Sequence, residues 1–191
     1  MSATPSFTGK EVLVLHRPGE ASRLLVRQLG LLGLRTALRW SPVQPADTPD
    51  LVIVDADAGW SGLLPWPEGQ SPVPLVALLG SEAPGRIAWA LDQGADALIA
   101  KPVAPSAVYP ALVMAVRRHE EGRRVAERIA DLEERIRLRP LVLGAVETIM
   151  AARFCTETEA YRHLRREAMR QRLGLEQMAA RILTGPRSEA G

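Results

Sequence analysis

The chain has 191 residues, a formal charge of +2 and 47% apolar residues, enough for one ordinary domain plus a smaller one. No apolar run approaches the roughly 18 residues that a membrane span needs, and the polar start MSATPSFTGKEV lacks the apolar stretch of a secretion signal. Cys155 is the single cysteine, which excludes an internal disulfide and fits a reducing, cytoplasmic setting.

Charge is unevenly spread. Residues 1–116 carry 8 Lys/Arg against 10 Asp/Glu, residues 117–139 carry 8 against 6, and residues 140–191 again 8 against 6. Lys10 and Lys101 are the only lysines, so all but two of the 24 basic residues are arginine. The planar fork of arginine suits phosphate and stacks on bases.

In chain order, EVLVL (11–15) is a short apolar run of the kind found in a buried parallel strand. SRLLVRQLGLLG (22–33) places Leu24, Leu25, Gln28, Leu29 and Leu32 at helical spacing, with Gly30 and Gly33 at its end. RTALRW (35–40), LVIV (51–54), PLVALLG (74–80) and ALIA (97–100) read as further strands. GRIAWALDQGA (85–95) reads as a helix, whereas the proline- and glycine-rich GWSGLLPWPEGQSPVP between the third and fourth strands reads as loop. Alternating strands and helices predict a parallel sheet with helices on both faces.

Residues 106–139 form a highly charged helical run. Val125, Ile129, Leu132 and Ile136 fall at 4-3-4 spacing, an a/d seam flanked by Glu and Arg. The seam predicts a homodimer, because no other element is left to cover it; the alternative is a solvated helix packed on its own domain. Pro140 is expected to break or kink the helix, or to start the next one. Leu141–Ala152 then reads as the first of three short helices. Thr156 with Glu159 makes a capping box for the second, about 157–172, and Gly174 precedes a third at Leu175–Leu183. Cys155 reads as a small apolar residue in the turn between the first two. The tail 185–191 reads as disordered.

The middle helix of this tail module carries the functional signal. Ala160, Leu164 and Ala168 recur every four residues and should face a core. Arg162, Arg166 and Arg170 recur every four residues on another face, with Arg165 and Arg172 one stripe over and Arg153 at the end of the preceding helix. Clustered guanidinium groups repel one another until an anion such as phosphate relieves them. Tyr161 and His163 lie beside them in sequence and offer rings on which unpaired bases could stack, although Tyr161 on its own reads as core. The bland alternative is a solvated face in which Glu157, Glu159 and Glu167 pair with the arginines.

Two resemblances sharpen these readings. The strand order with DLVIVD (50–55) and GADALIAKP (94–102) resembles the receiver domain of bacterial response regulators, which implies an α/β flavodoxin-like fold over about the first 115 residues. In that family an acidic pair follows the first strand, an aspartate ends the third, a Thr/Ser ends the fourth and a lysine ends the fifth. Here Asp55 stands at the phospho-acceptor place and Lys101-Pro102 at the lysine place. His16 and Arg17 replace the acidic pair, however, and Leu79 replaces the Thr/Ser. Phosphoryl transfer needs a metal to neutralise charge, and one carboxylate beside a cation binds Mg²⁺ poorly. The site therefore reads as vestigial, with Asp55 a structural carboxylate paired with Arg17 or Lys101: a pseudo-receiver that docks proteins. Asp55 with Asp57 does not make a metal site.

Residues 138–183, through Ala145, Ile149-Met150, Glu159-Ala160-Tyr161, Leu164-Arg165, Glu167-Ala168-Met169, Met178-Ala179 and Ile182, resemble the ANTAR module, the RNA-binding domain of the AmiR/NasR transcription antiterminators. VLVLHRPGEASRLLVRQLGLLG and RWSP resemble the opening of the pseudo-receiver members of that family. The family's first helix usually reads Ala-Lys-Gly, where this chain has Ala145-Val146-Glu147.

The expected organisation is a pseudo-receiver at 1–105, a helical linker or coiled coil at 106–139, an ANTAR three-helix bundle at 140–184 and a tail at 185–191. The resemblance implies a cytoplasmic dimer that binds leader-mRNA stem-loops and is controlled by a ligand-sensing inhibitory protein rather than by phosphorylation, with no membrane contact. A DNA-binding response regulator would need a final helix with exposed polar side chains. Here Leu175, Met178, Ala179, Ile182 and Leu183 leave only Glu176, Gln177 and Arg181. A protein-interaction adaptor without nucleic-acid binding is the third possibility. No nucleophile–base set, phosphate loop, metal cluster or cofactor motif points to an enzyme.

Overall fold

The structure, a computed structural model, describes residues 5–60, 62–80 and 83–185. The expected disordered tail therefore lies, Gly185 aside, outside the described residues. The chain divides into two units, Met1–Arg123 and Arg124–Gly191.

In the first unit, β1 (Glu11–Leu15), β2 (Arg35–Arg39), β3 (Leu51–Asp55), β4 (Leu75–Leu79) and β5 (Ala97–Ala100) form one parallel sheet of order β2-β1-β3-β4-β5. The register sets Val12 opposite Leu51 and Val54 opposite Ala77. This is the flavodoxin-like order, and its crevice opens at the carboxyl ends of β1 and β3. The central strands β1, β3 and β4 are apolar on both faces and almost wholly buried, whereas the edge strands β2 and β5 are largely exposed.

α1 (Glu20–Leu31) and the start of α3 (Pro105–Arg153) cover one face. Leu25, Leu29, Val108 and Leu112 pack there against Val12, Val14, Ile53 and Val76. α1 stops at a left-handed Gly33 (φ +83°), where a Cβ would lie 3.1 Å from the backbone of Thr8. The other face carries α2 (Pro84–Asp92) alone, and the rest of its cover is loop. Val43, Leu63 and Leu64 are buried there, with Trp40, Trp66 and Trp89 packed against them. The expectation of loop between β3 and β4 agrees with this. Helices on both faces is met unevenly, because bulky indoles replace helices on the second face.

The second unit begins within α3, which runs as one helix of 49 residues. The expected break at Pro140 does not occur. The ring removes a single N–H, the one that would reach the carbonyl of Ile136, at a cost of about 3 kcal/mol. Strong helix formers flank it, and the residues beyond it are anchored in a core. That core joins Ala145, Val146 and Ile149 of α3 to Ala160, Leu164 and Ala168 of α4 (Glu157–Gln171) and to Met178 and Ala179 of α5 (Leu175–Thr184). Alanines on α4 let the helices approach closely, and burying Leu164 contributes about 2 kcal/mol. Cys155 is half-buried against this core, as expected of a small apolar turn residue. The boundary expected at 105 also shifts, since Val108 to Val116 belong to the core of the first unit.

Candidate functional site

Two charged constellations were expected, and their geometry is opposite in kind. In the first unit, Asp55 is buried at the end of β3. Lys101 Nζ lies 2.6 Å from Asp55 Oδ1 and 2.7 Å from Asp57 Oδ2. Asp57 Oδ2 also accepts from the Gly80 N–H at 2.7 Å, and Asp55 Oδ1 accepts from the Asp57 N–H at 3.1 Å. On the other side of Asp55, His16 Nε2 stands 3.3 Å from Oδ2. Its Nδ1 is 2.6 Å from the carbonyl of Arg17 and must donate to it, since that oxygen can only accept.

Of the two partners expected for Asp55, Lys101 is there and Arg17 is not. Arg17 instead lies over the ring of Trp40, 5.8 Å from its centroid, and the imidazole of His16 takes its place. A guanidinium gains more from an indole face while still wet than from entering a buried pocket already holding an ammonium. Burial works against the charged form of Lys101, but its hydrogen bonds to Asp55 and Asp57 outweigh that and raise its pKa above the ordinary lysine value. The space between the two carboxylates is thus filled by a fixed cation from the chain itself.

In the second unit, the capping box forms as expected. Thr156 N–H donates to Glu159 Oε2 at 2.9 Å, and Thr156 Oγ1 accepts from the Glu159 N–H at 3.4 Å. Ala160, Leu164 and Ala168 are buried, so Arg162, Arg165, Arg166 and Arg170 turn outward and are exposed. Arg170 donates to Glu167 Oε2 at 2.5 Å. Among the described residues, no carboxylate forms an ion pair with Arg153, Arg162, Arg165, Arg166 or Arg172. Among the described residues, an ion pair engages this face at Arg170 alone.

His163 registers this field. Burial lowers its pKa below the ordinary histidine value, and the charges of Arg153, Arg166 and Arg170 lower it further, against Glu167. Arg153 at the end of α3 therefore joins the α4 arginines electrostatically. Tyr161 and His163 do not flank one stripe together: at 100° per residue they stand about 160° apart around α4. Tyr161 is 43% exposed and lines a groove with Arg139, Val142, Leu143, Leu175 and Glu176. Arg172 is not one stripe over from the others. It caps the C-terminal end of α4 in the left-handed region (φ +56°), outside the helical run.

Val146, where the family pattern carries lysine, is 5% exposed inside the bundle core, while Glu147 faces solvent. The apolar change at 146 is thereby a packing substitution. The seam residues Val125, Ile129, Leu132 and Ile136 are all exposed in the single chain. Because α3 continues through Pro140, the same spacing runs on through Arg139 to Leu143, which is 61% exposed. Sequence reading missed this extension. It also missed Phe154, which sits in the left-handed region (φ +51°) between α3 and α4 and is 96% exposed. That conformation costs roughly 1–2 kcal/mol for an L-residue.

Comparison with known proteins places both units. Residues 10–116 match the family described as "AmiR, N-terminal", and residues 130–183 match the ANTAR domain. The aliphatic amidase regulator of Pseudomonas aeruginosa is 31% identical over 179 residues, covering 91% of this chain and 90% of that protein. The transcriptional regulatory protein PdtaR of Mycobacterium tuberculosis is 31% identical over 110 residues, 58% of this chain and 54% of that protein. Among solved structures, the response regulator StyR aligns with a TM-score of 0.53 at 15% identity, covering 92% of this chain and 99% of that one. Full-length FixJ from B. japonicum aligns with a TM-score of 0.50 at 16% identity, covering 93% and 99%. These last two show the fold alone. With an AmiR-type unit followed by an ANTAR domain, the chain belongs to the ANTAR family of RNA-binding transcription antitermination regulators.

Proposed function

We propose that this regulator grips stem-loops of a leader mRNA with the exposed guanidinium groups of Arg153, Arg162, Arg165, Arg166, Arg170 and Arg172, and thereby favours read-through of a terminator. The observation that carries this reading is the face of arginines with one carboxylate partner among the described residues. Such a face is stabilised by a polyanion, whose displaced counterions drive binding. The acidic first turn of α5 (Glu176) and the packing of its apolar stripe leave a poor surface for reading base edges in DNA.

Two chains pair along α3 through Val125, Ile129, Leu132 and Ile136, with Leu143 extending the seam. Pairing links two RNA-binding bundles, which raises apparent affinity through effective concentration when the RNA offers two matching stem-loops. Control comes from a ligand-sensing inhibitory protein docking on the first unit. Phosphorylation has no place in this scheme, because His16 and Arg17 stand where an acidic pair would hold a divalent ion, and Lys101 already pairs with both Asp55 and Asp57.

The decisive experiment is a filter-binding titration of a leader transcript at two salt concentrations. The Arg162→Ala/Arg166→Ala/Arg170→Ala variant should lose on the order of 100-fold in affinity, with its salt slope reduced by roughly 2 to 3, while keeping its melting transition. Unchanged affinity in the folded variant would remove the arginine face from the reading. Incubation with acetyl phosphate and Mg²⁺ should leave the intact mass unaltered; an adduct on Asp55 would restore phosphorylation as the control.

A further inference from the structure

Among the described residues, the non-glycine positions with positive φ are two, Phe154 and Arg172, and they bracket α4. Glycine or asparagine normally holds such positions, because a Cβ there crowds the following carbonyl. Phe154 has no compensating role in packing: its ring is 96% exposed and it is absent from the bundle core. A large aromatic ring in open water, on a backbone conformation that disfavours it, points to a ligand that covers it. The next residue upstream is Arg153, exposed and without an ion-pair partner among the described residues, at the edge of the arginine face. The following turn is acidic, with Glu157 and Glu159 exposed at the start of α4. Carboxylates there repel phosphate but accept hydrogen bonds from the amino groups of a base. The chemistry at this corner thus differs from that of the arginine stripe.

We propose that Phe154 is a stacking platform for an unpaired RNA base, presented beside the phosphates that the α4 arginines hold. The inference rests on the RNA-binding reading and deepens it, by assigning base contact to the α3–α4 turn and backbone contact to α4. The arrangement separates affinity from selection. Arginines bind any strand, and the ring accepts one whose loop can release a base.

The test uses the full-length chain and two RNA probes, a pool of hairpins with randomised single-stranded loops and a blunt RNA duplex. Binding is followed by fluorescence anisotropy across a salt series. Phe154→Gly relieves the backbone, so its melting temperature should stay level or rise. Its affinity for the hairpin pool should fall about tenfold, the usual worth of one stacked base. The salt slope should not change, since no phosphate contact is lost. Duplex binding should be unaffected, and Phe154→Trp should restore hairpin binding. Equal hairpin affinity for Phe154→Gly and the parent chain would overturn the platform while leaving the arginine face standing. A parent chain that binds neither probe would overturn both. A Phe154→Gly variant whose sedimentation changes while its hairpin affinity does not would assign the ring to contact between copies of the chain, against the proposal.

Discussion

The two units handle charge in opposite ways. In the first, the charges of the Asp55 cluster are turned on one another: one ammonium bridges two carboxylates, a backbone N–H donates to each carboxylate, and the imidazole of His16 lies beside Asp55. In the second, a comparable density of charge is left open, with guanidinium groups of one sign facing solvent. Buried charge has to be paired within the fold, since an uncompensated ion there costs several kcal/mol. Exposed like charge costs little until it is crowded, and crowding is what a polyanion relieves. The closed cluster therefore has the hallmarks of structure, and the open face those of function. A motif that survives in sequence, such as an aspartate and a lysine at receiver positions, does not by itself carry the receiver's chemistry.

The contrast can be broken most severely at the seam. Leu132→Asp with Ile136→Asp should convert a dimer into a monomer in sedimentation and lower affinity for a two-hairpin RNA by about 100-fold. Affinity for a single hairpin should hold, and a dimer that persists would move the interface elsewhere. Next comes the closed cluster. Lys101→Met leaves two carboxylates facing each other and should destabilise the first unit by about 3 kcal/mol in urea titration. The salt dependence of RNA binding should be untouched, because the open face does not share that pocket. The smallest effect concerns pH. His163 is held below its ordinary pKa by burial and by its arginine neighbours, so it is neutral in the free protein near pH 7. Bound phosphate screens those arginines and raises the pKa, so binding takes up a proton. Affinity should therefore rise modestly as pH falls below the ordinary histidine value of roughly 6.5, and stay flat at higher pH. His163→Asn should flatten the profile, and a parent profile already flat would detach His163 from the bound RNA.

Much of this was legible in the residues. Apolar runs bounded by glycine and proline located the strands of the sheet, because buried parallel strands need apolar side chains on both faces. Thr156 with Glu159 located the start of α4, and the four-residue spacing of Ala160, Leu164 and Ala168 fixed which side faces inward. The behaviour of Pro140 was not legible. One missing hydrogen bond is a local cost, whereas the anchoring that outweighs it comes from Ala145, Val146 and Ile149 in a distant core. The hidden end of the seam at Leu143 followed from the same omission. His16 was legible as a replacement in the acidic pair but not as a neighbour of Asp55, because only the fold sets the two side by side. Phe154 escaped because nothing in its composition signals a left-handed backbone, and an aromatic next to a helix end reads as core.

The loop-covered face of the sheet has a practical consequence. Trp40, Trp60, Trp66 and Trp89 are the only tryptophans of the chain, and all belong to the first unit. Trp60 meets Trp40 edge-on at 5.0 Å, within reach of Arg17. The molecule thus comes with a native optical label on one half. Indole emission excited at the red edge will report denaturation or occlusion of the sheet and stay silent about the bundle, so events in the two halves can be timed separately without attaching a dye.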